Sequence, residues 1–374
     1  MKIAINTRFL LKNKLEGIGR VTYEIVKRLV QQHPEDEFIF FFDRPFDESF
    51  LFGDNVKPVV LNPPARHPFL WYWWFEKSIP AALLKHRADV FLSTDNYLSL
   101  NTKTKTAMIT HDLAHLYYPK EIPFLVRKFY DYYVPKYLHR ADQIIAVSDF
   151  TKKDIQKRFN IDESKIQVAH NACTKNFVPL AAEIKNGVRK KYTNDQEYFF
   201  YIGSIHPRKN IRRLILAFDH FKKESKSPMK LLLGGRFAWQ AGDTQIAFDN
   251  AKYKSDILLL GYLEEEELSQ ILAAAKALVY VSLFEGFGLP ILEAMHCDTP
   301  VITSNVSSMP EVAGDAALLI DPNSIDAIAK AMERIQDKEL AQSLIEAGKK
   351  QREKFNWDRS AKIVYQSLVK ATHP

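Results

Sequence analysis

Phe284-Glu285-Gly286-Phe287-Gly288-Leu289-Pro290-Ile291-Leu292-Glu293-Ala294 stands where an apolar run, residues 277–282, gives way to a helical pattern at 290–296. A short apolar run followed at once by a helix is half of a βαβ unit. The two glycines allow the backbone to come close to a ligand. Pro290 suits the first turn of a helix, where its missing N–H costs nothing. Amides at such a helix start face an anion such as phosphate. Glu285 lies just before that position and Glu293 about one turn inside the helix. The two carboxylates are therefore expected on either side of a diphosphate-sized gap, one meeting a sugar's hydroxyls and the other a ribose's.

The same strand–helix alternation extends outward in both directions. Strands are predicted at residues 197–203, 229–234, 256–261, 277–282, 300–304 and 316–320, with helices at 208–223, 264–274, 290–296 and 324–335. The second of these helices opens on a run of Glu, which suits the positive end of a helix. A polar stretch at 179–194, read as irregular, precedes the series. Before it lies another: apolar runs at 2–6, 38–43, 56–62, 89–94, 106–111, 143–148 and 166–171, of the continuous kind that parallel strands show when buried on both faces. Between the first two, Val21, Ile25 and Leu29 recur every fourth residue within 19–31, and Val26 and Val30 widen that face. The expected class is α/β with two Rossmann-like sheets. The last segment, 356–371, carries Trp357, Ala361, Val364, Tyr365 and Leu368 at helical spacing with no strand after it, and is expected to pack back on the first half.

The 374 residues, 46% of them hydrophobic, are enough for two domains with a core each. Cys173 and Cys297 have neither CxxC nor zinc spacing, which favours packing roles in a reducing compartment. No apolar run reaches the roughly 18 residues of a membrane span, and Met1–Asn6 reads as a strand with no charged leader, so the expected location is the cytoplasm. The net charge of +7 falls almost wholly in residues 1–180, where Lys and Arg outnumber Asp and Glu by 26 to 20. Such a bias draws a protein toward anionic lipid, diphosphates or nucleic acid without selecting among them.

Arg208 and Lys209 follow a strand and a Pro-containing turn, at the carboxyl edge where open α/β sheets bind ligands. They are the natural cations for a diphosphate, the arginine as a two-pronged donor and the lysine as a point charge. His111 ends an apolar strand, is followed by Asp112, and is expected to project toward the ligand. Gly17 and Gly19 resemble part of a GxGxxG fingerprint, but Thr22 stands in the place of the third glycine, which counts against a dinucleotide site. No Asp-x-Asp sequence of the type that holds a divalent ion against a diphosphate is found. Arg208, Lys209 and the helix start at Gly288–Pro290 are left to carry that charge.

The 284–294 stretch resembles the E-x7-E signature of the retaining GT-B glycosyltransferases of family 4, also called glycosyltransferase group 1. Other features fall in that family's order over nearly the whole chain. They include Gly17-Ile18-Gly19-Arg20, His111-Asp112, Val147-Ser148, Asn171, Gly203 through Asn210, Gly234-Gly235, Gly261-Tyr262, and Ser304-Asn305 through Pro310-Glu311-Val312. The resemblance implies a GT-B fold, with two Rossmann-like domains facing across a cleft and a C-terminal helix crossing back to the first. It places an acceptor domain at 1–178, joined by 356–374, and a donor domain at 179–355. It assigns Arg208 and Lys209 to the leaving diphosphate, with Gly17, Gly19, Gly286, Phe287, Gly288 and Leu289 around it. It gives Glu285 and His111 to the donor sugar as the catalytic pair, and Glu293, Gly203, Gly234 and Tyr262 to the nucleoside.

The implied activity is metal-independent, retaining transfer of a hexosyl unit, of mannosyl type, with no cofactor. GDP-mannose or a UDP-hexose is the expected donor, and a glycan or lipid-linked saccharide the acceptor. Two readings compete: a GT-B-like sugar-nucleotide epimerase, and a noncatalytic module binding a sugar nucleotide or nucleic acid. The aromatic run Trp71-Tyr72-Trp73-Trp74-Phe75 and the basic, aromatic stretch 124–140 suit either core and acceptor pocket or an anionic membrane surface, which would place the protein at the membrane's inner face.

Overall fold

The computed structural model describes residues 1–12, 15, 17–236 and 242–373. The chain parts into two compact units, Met1–Asn171 with Asn356–Pro374, and Ala172–Phe355. The expected boundary after residue 178 moves to 171. The reason is local: Thr174 Oγ1 (2.7 Å) and Asn176 Nδ2 (3.0 Å) both donate to Glu265 Oε1 of the second unit.

The first unit holds seven parallel strands: β1 (Lys2–Asn6), β2 (Glu37–Phe42), β3 (Val56–Val60), β4 (Val90–Ser93), β5 (Lys105–Thr110), β6 (Gln143–Ala146) and β7 (Ile166–Val168), in the order β3-β2-β1-β4-β5-β6-β7. β4 and β6 are buried along their whole length, which is why their sequences run apolar without alternation. The order reverses between β1 and β4, so the carboxyl ends of these two strands flank the unit's switch point.

Helix Ile18–Gln32 buries Val21, Ile25, Val26, Leu29 and Val30, the face its spacing predicts. Helix Trp357–Thr372 packs against that helix and against β5 and β6, and so belongs to this unit although it ends the chain. Asn356 caps it by accepting from the amides of Asp358 and Arg359, worth about 1 kcal/mol. Tyr365 stacks on His33 with ring centroids 3.4 Å apart, and its hydroxyl donates to Asp36 at 2.8 Å.

The second unit repeats the plan with six parallel strands: β8 (Tyr198–Ile202), β9 (Lys230–Gly234), β10 (Ile257–Gly261), β11 (Ala277–Tyr280), β12 (Val301–Ser304) and β13 (Ala317–Ile320), ordered β10-β9-β8-β11-β12-β13. Its switch point lies between β8 and β11. The Glu run fills the first turn of helix Glu265–Ala274 as expected.

Three expectations need correction. The stretch read as irregular contains helix Ala182–Thr193, which buries only Val188 and Thr193 and so leaves almost no apolar stripe to detect. The helix expected from 208 begins at Ile211. Before it, Pro207–Lys209 form a tight turn and Asn210 takes a left-handed φ of 65°, which no α-helix accommodates. The aromatic run is neither all core nor all surface. Trp74 and Phe75 are fully buried, whereas Trp73 is 55% exposed.

Candidate functional site

In the second unit the left-handed residue decides the chemistry. Asn210 is buried, and its Nδ2 donates to the carbonyls of Val281 (3.0 Å) and Pro322 (2.7 Å), which anchors the turn to the carboxyl edge of the sheet. Asn tolerates a positive φ better than most residues, and here its side chain holds the turn as well. Because the turn is fixed, Arg208 and Lys209 point back across the switch point instead of out along a helix. Arg208 donates to Phe284 O (2.8 Å) and to Glu285 Oε2 (3.2 Å). Lys209 donates to Glu285 Oε1 (2.5 Å) and to the Tyr280 hydroxyl (3.0 Å), which itself donates to Oε1 at 2.8 Å.

Glu285 is buried. Burial alone would raise its carboxyl pKa, but the charges of Lys209 and Arg208 outweigh it and hold the group at about 2. The carboxylate is therefore ionised at neutral pH, with both cations on it. Tyr280 and Tyr201 stack beside it at 6.2 Å, and burial pushes both phenols well above their ordinary range, so they remain neutral donors.

The loop after β11 is clamped from a second side. Ser308 Oγ donates to the carbonyls of Glu285 (2.9 Å) and Phe287 (2.8 Å), while the Glu285 amide donates to Ser307 Oγ (3.1 Å). Gly288 takes a φ of 103° and starts helix Leu289–His296, with Pro290 in its first turn. That conformation strains any side-chain-bearing residue. Gly286, Phe287 and Leu289 are grouped around this helix start, and Glu293 is buried within the helix.

Glycines line the carboxyl ends of the neighbouring strands. A Cβ on Gly235 would lie 1.8 Å from Gly203 O, so the loops after β8 and β9 touch backbone to backbone. The Gly203 amide donates to Gly234 O at 3.0 Å and the Gly235 amide to Gly261 O at 2.6 Å. Beyond Gly261, Tyr262 is partly exposed, with the Arg236 guanidinium over its ring at 4.4 Å. Nine expected residues, Gly203, Arg208, Lys209, Gly234, Glu285, Gly286, Phe287, Gly288 and Leu289, thus share the carboxyl edge of one sheet.

His111, Gly17 and Gly19 belong to the first unit. Gly17 caps helix Ile18–Gln32 with a φ of 47°, and Gly19 is buried in that helix's first turn. His111 follows β5. Its amide donates to Asn96 Oδ1 and its Nε2 lies 2.8 Å from Thr94 O. Burial lowers the ring's pKa and favours the neutral form.

The sequence alone does not mark Tyr280 or Asn96, and it places Ser307 and Ser308 only within a loop of the family's pattern. Tyr280 and Asn96 follow or end buried strands, a position that marks them only once the strand order is known. The two serines sit in a loop whose reach to Glu285 no local pattern predicts.

Residues 185–351 match the family described as glycosyl transferases group 1, and residues 15–174 match glycosyltransferase family 4. The chain is 32% identical over 359 residues to O-antigen chain mannosyltransferase B of Escherichia coli, covering 93% of this chain and 94% of that protein. It is 27% identical over 282 residues to the O-antigen chain mannosyltransferase RfbU of Salmonella typhimurium, 75% of each. Anabaena HepE, solved in complex with UDP and glucose, superposes with a TM-score of 0.77 at 15% identity over 99% of each chain, a likeness of fold. With an E. coli mannosyltransferase matched along nearly its whole length and two parallel sheets of the expected kind, the chain belongs to the family 4 glycosyltransferases and has the GT-B fold.

Proposed function

We propose that the protein is a retaining, metal-independent mannosyltransferase that takes GDP-mannose, or failing that a UDP-hexose, and extends a glycan or lipid-linked saccharide. The observation that carries this reading is the pair Arg208 and Lys209 converging on one buried carboxylate at a switch point, beside a helix start and three glycine-lined strand ends. In this reading Arg208, Lys209 and the helix start neutralise the leaving diphosphate, the task a metal performs elsewhere. Gly286, Phe287, Gly288 and Leu289 carry the backbone around it, and Gly17 and Gly19 serve it from the first unit. As the phosphates draw on Arg208 and Lys209, Glu285 is released to take sugar hydroxyls. Glu293, Gly203, Gly234 and Tyr262 receive the nucleoside, and His111 contacts the donor sugar. The mannosyl preference comes from the names of the two relatives. The epimerase and noncatalytic readings give way to them.

An anionic membrane surface is the proposed site of work. Helices Pro68–Trp73 and Phe124–Arg140 pack together and expose Phe69, Trp73, Phe124 and Tyr132, with Lys128 and Lys136 exposed beside them. Among the described residues no helix is long and apolar enough to cross a membrane. Aromatic side chains at headgroup depth and lysines facing anionic lipid suit attachment at the inner face.

The test is transfer of labelled mannose from GDP-mannose to a mannosylated acceptor with EDTA present, the product's anomeric configuration being read by NMR. Transfer that survives EDTA and gives an α-linked product supports the proposal. A strict metal requirement or a β-linked product overturns it. Sedimentation with phosphatidylglycerol vesicles, but not with phosphatidylcholine alone, is the expected result for the membrane face.

A further inference from the structure

We infer that Asn96 is a positioning residue for the transfer, its carboxamide clasping the His111–Asp112 peptide at the end of β5 and setting where the His111 ring stands. The inference rests on the reading that His111 meets the donor sugar. Asn96 Oδ1 accepts from the His111 amide at 2.8 Å, and Nδ2 donates to Asp112 O at 2.8 Å. The two bonds engage an N–H and a C=O of successive residues, so one side chain fixes both ends of the turn. A carboxamide supplies a donor and an acceptor at that spacing, which an ionised carboxylate does not.

The imidazole is tied to the same loop. His111 Nε2 lies 2.8 Å from Thr94 O, and a carbonyl has no proton to give, so Nε2 carries the hydrogen and Nδ1 presents a lone pair. Thr94 in turn donates its hydroxyl to Asn6 O of β1 at 2.8 Å, and Asp112 Oδ1 accepts from the Ala114 amide at 3.0 Å. Ring and peptide are thus referred to one short segment, residues 94–96, that is pinned to the centre of the sheet. Asn96 is itself only partly buried, and its carboxamide oxygen and nitrogen both bond to this turn. A ring held in one tautomer reads a hydroxyl donor and gains nothing by rotating, the type of preorganisation whose loss lowers turnover more than donor affinity.

The test compares Asn96→Ala, Asn96→Asp, His111→Ala and the Asn96→Ala/His111→Ala double variant for transfer from GDP-mannose. Asn96→Asp keeps the side chain's size and its acceptor but sets a carboxylate oxygen against Asp112 O, so it separates the clasp from a folding defect. Both Asn96 variants are expected to lower kcat by roughly 10–100-fold with the donor KM little changed. Because Asn96 acts through His111, the double variant should be no slower than His111→Ala alone. Long-range proton–nitrogen spectra of histidine-labelled protein should show a single Nε2–H form for His111 that becomes mixed in Asn96→Ala, whichever donor the enzyme uses. Multiplying losses in the double variant, or an unchanged rate in Asn96→Asp beside an inactive His111→Ala, would overturn the clasp. A wild-type rate in His111→Ala would instead remove the sugar contact on which it depends.

Discussion

The two sheets offer the same place to build a site, and the chain fills it differently. At the switch point of the first, Arg8 pairs with Asp95 at 2.7 Å, Asn6 Nδ2 donates to the same Oδ2 at 3.0 Å, and the guanidinium lies over the Tyr97 ring at 4.5 Å. Both partners are buried. Burial pulls the Arg8 pKa down, but the groups around it, Asp95 first, leave it raised, so the guanidinium stays charged. At the switch point of the second, two cations face one carboxylate, and the Arg208 side chain keeps 22% of its surface exposed. Topology supplies the location in both units. Access separates the two, since the first pair is closed off from solvent and Arg208 is not.

That contrast breaks most sharply at the first pair. Asp95→Ala leaves Arg8 buried without its partner, which should cost the first unit about 3–5 kcal/mol. Four of the five tryptophans, Trp71, Trp73, Trp74 and Trp357, belong to that unit, so tryptophan fluorescence during denaturant unfolding reports it. An unchanged midpoint would show that the pair braces nothing. The second unit should respond in rate instead. Arg208→Ala or Lys209→Ala is expected to slow transfer roughly 10²–10³-fold, the scale seen when a donor to developing negative charge is removed, with the fluorescence transition unmoved.

Acid sharpens the same comparison. The Glu285 pKa is held at about 2, below its ordinary 4.5, so its stabilisation is complete above 4.5 and is lost as pH falls from there toward about 2. The loss, on the order of 3 kcal/mol, should appear in hydrogen exchange of β8 and β11 and be absent from Glu285→Gln. The smallest expected effect concerns the chain's last helix. Asn356→Ala removes its cap and should cost about 1 kcal/mol. The loss should lie in the fluorescence transition of the first unit, as the Asp95 effect does; a shift confined to the second unit would argue against the helix's place.

Strands such as β2, β4 and β6 were legible because strands buried on both faces leave unbroken apolar runs, and Phe38 to Phe42 could hardly read otherwise. Helix Phe124–Arg140 was not read as one. It buries Phe129, Val134, Tyr137 and Leu138, contains Pro135, and mixes exposed aromatics with bases, so its apolar positions trace no single stripe. Of the site, the glycines, the two glutamates and the Arg-Lys pair stood out in the linear order because each lies just beyond or inside an element end. Their partners did not, since Tyr280, Ser307 and Asn96 matter through residues brought near them only by the sheet.

By itself, the order of residues determined the two α/β sheets, the family, and which side chains are proposed for phosphate and sugar. Those properties depend on composition and spacing over a few residues, where hydrophobic period and turn chemistry act. Only the tertiary structure decided that Arg208 and Lys209 turn back onto Glu285, that Arg8 is consumed by Asp95, and that Asn96 holds His111. Each of these is a hydrogen bond between strand ends far apart in sequence, and its geometry exists only after the strands have paired.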